Sequence, residues 1–247
     1  MKRYPLYILD LDGTLFRGSE PLPAAVETVG ILRSEGAEVR YLTNNSTQLR
    51  ETYVQKLDGM GFEVRPDWVY SSAMGAAQLL KGTLTRAFVV GEEGIVSALG
   101  ESGIEVDADP EAVVVGMCRH FDYDLMNQAL QFLLDPGVRF VATNRDATYP
   151  LEGSKVVPGA GSIVAGIATA SGREPEVVGK PSPFLIEWIL RDAGIRPEHA
   201  LVVGDRLDTD IEAGIRARCA VHLVLSGVTA EAPSGVSASL DLSALVA

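Results

Sequence analysis

Short apolar runs alternate with helix-spaced apolar patterns along nearly the whole chain of 247 residues, and this alternation restricts the fold more than any other feature. Strands are expected at 7–9, 39–42, 68–70, 87–90, 113–116, 140–142, 201–203 and 221–225. Helices are expected at 23–35, around 49–57, and at 73–80, 95–99, 125–134, 162–170, 183–192 and 210–218. Gly36 supplies a stop for the first of these, and Ser46 or Thr47 an N-cap for the second. Strands that alternate with helices build parallel sheets covered on both faces, so the fold class is α/β. So many strands suit two α/β units better than one sheet. The segment after Gly227, rich in Ser and Ala, is weakly specified.

Bulk properties remove several kinds of function. With 47% apolar and 22% charged residues the chain has material for a sizeable core. A net charge of −12 argues against nucleic acid or an anionic membrane as the main partner. Asp10 and Asp12 interrupt the N-terminal apolar run too early for a signal peptide, and no window approaches transmembrane length; the expected location is cytoplasmic. Cys118 and Cys219 lie beside apolar neighbours and read as reduced, buried thiols, without the spacing of a zinc site. The three histidines are dispersed and read as structural, and Trp68 and Trp188 as core.

In open parallel sheets ligands bind beyond the carboxyl ends of the strands. The residues expected there are Asp10 and Asp12 after the first strand and Thr43, Asn44 and Asn45 after the second. Lys180 follows in "VVGKPSP", and Asp205, with Asp208 and Asp210, after "LVVG". Carboxylates that converge need a hard cation, and oxygen-only ligation suits Mg2+. Asp10 and Asp205 each offer a side-chain oxygen and Asp12 its backbone carbonyl. Thr43, Asn44 and Lys180 add hydrogen-bond donors and one positive charge, which together make a phosphate cradle. A carboxylate needs no deprotonation to attack phosphorus at neutral pH, so Asp10 can act as nucleophile and form an aspartyl-phosphate. Asp12 can protonate the leaving alcohol and then take a proton from water.

These residues carry a resemblance. "DLDGT", "LTNN", "GKPSP" and "GDRLDTDI", in this order and widely separated, resemble the four motifs of the haloacid dehalogenase superfamily of phosphatases. The long insert between the second and third motifs is similar to the large cap of the class IIA branch, which includes p-nitrophenyl phosphatases, phosphoglycolate phosphatases and nucleotide or sugar-phosphate phosphatases. The resemblance implies a Rossmann-like doubly wound parallel sheet core at 1–79 and 179–247, with an inserted α/β cap domain at 80–178 that closes over the substrate. It implies Asp10 and Asp12 as catalytic residues, and Thr43, Asn44, Asn45 and Lys180 as substrate-binding residues. Mg2+ would be held by Asp10, Asp12 and Asp205, with Asp210 in support. Tyr149, in "ATNRDATYP", is the cap residue expected nearest the substrate, a small phosphorylated metabolite. A homodimer through the cap fits the same branch. One departure is "GIRARCAVHLVLSG", where Arg218 and Cys219 stand where relatives often carry glycine.

The expected function is therefore a Mg2+-dependent phosphomonoester hydrolase. Two alternatives share the residues: a phosphomutase on the same scaffold, and a non-enzymatic, phosphorylatable receiver-like module, although receivers are shorter and lack a cap. Taken singly, each motif also has a plainer reading. Thr43–Asn45 can be a turn, Lys180 a solvated side chain, and Asp205, Asp208 and Asp210 acids at a helix N-terminus.

Overall fold

The strand Leu6–Asp10 is apolar on both sides because both sides are covered. In the computed structural model, which describes residues 2–150 and 155–247, Tyr7 and Leu9 point into one core, with Val29 and Leu32 of the helix Ala25–Ser34. Leu6 and Ile8 point into another, with Leu185, Ile186 and Ile189 of the helix Phe184–Ala193. Each fully buried side chain of this size contributes about 1.5–3 kcal/mol. A strand buried on both faces reads as a continuous apolar run, as parallel sheets require.

The chain divides into two compact units. The first comprises the chain up to Thr43, then Arg50–Tyr70 and Lys180–Ala247. Its six-stranded sheet has the order Ala238–Ser239, Ala220–Val224, Ala200–Gly204, Leu6–Asp10, Glu38–Thr43, Val69–Ser71. Leu6–Asp10 is central and parallel to both neighbours, with Leu9 opposite Val203 and Asp10 opposite Leu42. The weakly specified C-terminal segment is also built in. Ala238–Ser239 adds an edge strand, and Leu242 and Leu245 of the 3-10 helix Leu242–Leu245 are buried in the first core.

The second unit comprises Asn44–Leu49 and Ser71–Gly179. Its five-stranded parallel sheet has the order Glu176–Val177, Arg139–Ala142, Ala112–Val115, Arg86–Val90, Glu105–Val106. The helices Tyr123–Leu133 and Ala160–Ser171 cover one face. A hairpin pairs Thr148–Pro150 with Val156–Pro158. The division falls earlier in the chain than residue 80. The helix Ser72–Leu80 packs against Glu93–Glu101, and Ser72 Oγ donates to the carbonyl of Asn44 at 2.5 Å. The helix expected at 210–218 is also modified: a π-helical turn, Leu207–Ile211, precedes a short α-helix, Glu212–Arg216. Both cysteines are free, Cys118 buried and Cys219 half-buried, and burial pushes the Cys219 thiol up to about 12. Among the described residues no helix is long and apolar enough to cross a membrane.

Candidate active site

Parallel register gathers the first unit's polar residues at one edge of its sheet. Asp10 closes its own strand, Thr43 closes the strand on one side, and Asp205 directly follows the strand on the other. Lys180 re-enters the first unit here, its side chain only 3% exposed. Its Nζ donates to Asp10 Oδ1 and to Asp210 Oδ1, each at 2.5 Å. A buried ammonium this close to two carboxylates makes charge-assisted bonds, the stronger kind.

Asp210 comes from the π-helical turn, and its second oxygen accepts the backbone N–H of Arg206 at 3.1 Å. Asp208, two residues earlier, is largely exposed and takes two hydrogen bonds from the Arg206 guanidinium. The turn thus sends one acid inward to Lys180 and leaves the other as a surface pair. Asp205 is buried, and its Oδ2 accepts the N–H of Val228 at 2.6 Å.

One oxygen each from Asp10, Asp205 and Asp210 lies within 4.8 Å of the others. Burial pushes the Asp10 carboxyl up; Lys180 pulls it back, but Asp210 and Asp205 push it further, and it stands well above the usual carboxylate range. Burial first, then the charge of Asp210, raises Asp205 to about 6. Burial disfavours the Lys180 ammonium, yet Asp10 and Asp210 outweigh it and hold the group above the ordinary lysine range. One lysine therefore does not satisfy three crowded, desolvated acids. An all-oxygen donor set with unbalanced negative charge fits a hard divalent cation such as Mg2+. Asp12 is half-buried, and desolvation raises its carboxyl against the opposing charges of Lys56 and Lys180.

The expected phosphate loop is split. Thr43 belongs to the first unit, whereas Asn44 and Asn45 cluster with the second. There the Asn44 side-chain amide donates to both carboxylate oxygens of Asp146, at 3.2 and 3.1 Å. The Asn144 amide donates to the Asn44 carbonyl at 2.7 Å, and Asn144 Oδ1 accepts the N–H of Asp146 at 3.0 Å. Asn45 donates to the Tyr149 hydroxyl at 3.2 Å, while its side-chain Oδ1 accepts from the Thr47 N–H and hydroxyl. Asn144 and Asp146 of "ATNRDATYP" thus hold Asn44, a partnership across about 100 positions that local sequence spacing does not signal.

Residues 7–105 match the haloacid dehalogenase-like hydrolase family, and residues 177–239 match a related HAD-hydrolase-like family. The chain is similar to dihydroxyacetone phosphatase of Corynebacterium glutamicum, at 36% identity over 92% of this chain and 82% of that protein. Among solved structures it resembles the p-nitrophenyl phosphatase from Archaeoglobus fulgidus, with a TM-score of 0.90 and 32% identity over 98% of this chain and 97% of that one. It also resembles a glycerol phosphate phosphatase from Mycobacterium tuberculosis in complex with magnesium, with a TM-score of 0.88 and 32% identity, covering 98% of this chain and 76% of that one.

Proposed function

Because this chain belongs to the haloacid dehalogenase-like hydrolase family, we propose that it is a Mg2+-dependent phosphatase that hydrolyses a small phosphomonoester through an aspartyl-phosphate on Asp10. The observation that carries the reading is the bridge from Lys180 to Asp10 and Asp210, set beside Asp205 at one sheet edge. The relatives named above are phosphatases, and one solved relative carries magnesium.

Asp10, Asp205 and the backbone carbonyl of Asp12 would hold the cation. When bound, Mg2+ supplies positive charge to the phosphoryl oxygens and keeps the Asp10 carboxylate ionised. Asp10 attacks phosphorus, the bond from phosphorus to the ester oxygen breaks, and that oxygen leaves with a proton from Asp12. Burial raises the Asp12 carboxyl, which suits the task, since efficient proton transfer needs a pKa moved towards working pH. Asp12 then takes a proton from the water that attacks the aspartyl-phosphate, and inorganic phosphate leaves. Lys180 fixes the orientation of Asp10 and offsets charge on the transferring group. Asp210 holds Lys180 from the other side. Thr43 and Asn44 supply donors to the phosphoryl oxygens, with Asn45 adjacent. Tyr149, fixed by Asn45, is the residue assigned to the rest of the substrate. The second α/β unit sets the chain apart from a receiver module.

The test is release of inorganic phosphate from p-nitrophenyl phosphate. Turnover should require Mg2+, vanish with EDTA, return on adding excess Mg2+, and be absent in Asp10→Asn. Metal-independent turnover, or near-normal turnover in Asp10→Asn, would overturn the reading.

A further inference from the structure

The strand Ala220–Val224 of the first unit leads into a turn, Ser226–Thr229, that touches two separate parts of the acidic site. Val228 N–H donates to Asp205 Oδ2 at 2.6 Å, and Thr229 N–H donates to the Asp205 carbonyl at 3.1 Å. Ser226 Oγ donates to the carbonyl of Gly13 at 2.9 Å, across 213 positions of sequence. Arg17 Nη2, from the short strand Phe16–Arg17 that follows Asp12 and Gly13, donates back to the Ser226 carbonyl at 2.6 Å.

The fit is close enough to exclude side chains. Gly13 has φ +88°, and a Cβ there would lie 2.5 Å from Asp205 Oδ2. A Cβ on Gly227 would collide with the same carboxylate. Glycine at both positions lets two backbone segments press against Asp205, one from each end of the chain. A carboxylate held at one oxygen presents the other in a fixed direction. The Ser226 hydroxyl meanwhile fixes the peptide that follows Asp12–Gly13.

We propose that the Ser226–Val228 turn is a positioning device for the divalent cation: Ser226 sets the Asp12–Gly13 backbone and the Val228 amide sets Asp205, so that the oxygens assigned to the ion are held in register. This rests on the cation site proposed above. Ser226 and Val228 are positioning residues, since they act through Gly13 and Asp205. Outer partners of metal ligands commonly govern affinity by about 10- to 100-fold.

Calorimetric titration of the metal-free chain with Mg2+ alone tests this without turnover. Ser226→Ala should raise the Kd for Mg2+ about 10-fold, and Ser226→Thr, which keeps the hydroxyl, should stay within about 2-fold of the natural chain. Arg17→Met should produce a smaller rise in the same direction. Saturating Mg2+ should return Ser226→Ala to within about 2-fold of normal kcat, because the defect lies in binding the ion. Unchanged Mg2+ affinity in Ser226→Ala, with a natural chain that does bind Mg2+, would overturn this inference alone. A natural chain that takes up no Mg2+ would overturn the cation site and this inference with it.

Discussion

Asn44 donates its side-chain amide to Asp146 at 3.1 Å, although 102 positions of sequence separate them. The residue after the second strand is thus oriented by a carboxylate from the loop before the hairpin. Asp146→Ala removes a charge-assisted acceptor worth about 1.5–3 kcal/mol. If Asn44 binds the phosphoryl group, kcat/KM should fall at least about 10-fold, mostly through KM, while Asp146→Asn, which keeps one acceptor oxygen, should lose less. Steady-state kinetics on p-nitrophenyl phosphate decide it, and identical kcat/KM in Asp146→Ala would remove Asn44 from the phosphate cradle.

Lys180 is the sole cation bonded to Asp10 and Asp210 among the described ion pairs. Lys180→Met keeps the volume but leaves two buried carboxylates without their shared partner. The metal-free variant should lose about 3–5 kcal/mol in urea unfolding. Added Mg2+ should recover part of this, since it binds the folded state. Turnover should fall about 100- to 1,000-fold even with saturating Mg2+. A variant as stable as the natural chain would show that the bridge is not the support described.

The pH dependence of the metal-free chain has a definite sign. Asp205 titrates at about 6 when folded, against an ordinary value near 4 when unfolded. Between these values the folded state binds more protons, so this contribution to stability is present at low pH and is lost as pH rises through about 6. Asp10, raised by burial, acts in the same direction. Asp208, held low by its bond to Arg206, and Asp241, held low by its bonds to Ser243, act below pH 4 instead. His222, whose ionised form burial disfavours, slopes the opposite way below about 6.5, so Asp205→Asn is the needed comparison. From pH 7.5 to pH 5 the natural chain should gain on the order of 5 °C in Tm relative to Asp205→Asn. Mg2+ should stabilise more at pH 7.5 than at pH 5, because protons compete for the same oxygens. Parallel Tm profiles for the two chains would contradict the assignment.

Arg218 has φ 62°, in the left-handed region, at the end of the short helix Glu212–Arg216. This is where a helix most often places glycine, and a side chain there costs about 1 kcal/mol. Arg218 is exposed, so its loss removes little packing. Arg218→Gly should raise the urea midpoint by a corresponding amount without changing kcat, and a lowered midpoint would refute the strain.

The order of elements and the acids at the strand ends were legible because both follow from short-range patterning. Strands buried on both faces announce themselves as apolar runs, and Asp10, Asp205 and Lys180 stand where those runs stop. The division between Thr43 and Asn44 left no such mark. The Asn144 and Ser72 bonds to the Asn44 carbonyl, which tie Asn44 to the second unit, are visible only in three dimensions. The inward course of Asp210 and the outward course of Asp208 depend on a π-helical turn that no spacing of apolar residues reveals. The Ser226 turn was hidden for a related reason: its bonds to Gly13, Arg17 and Asp205 join residues up to 213 positions apart, and composition carries no trace of them.

The central strand Leu6–Asp10 pairs on one side with Glu38–Thr43, which emerges soon after it, and on the other with Ala200–Gly204, which leaves the ribosome much later. During synthesis the first unit must wait with one flank of its middle strand bare, whereas the nearly continuous span Ser71–Gly179 is finished first. Such distant pairing is slow and exposes strand edges to misassociation. A nascent chain released early would therefore carry a formed second unit and an aggregation-prone remnant of the first, with no trace of catalytic competence.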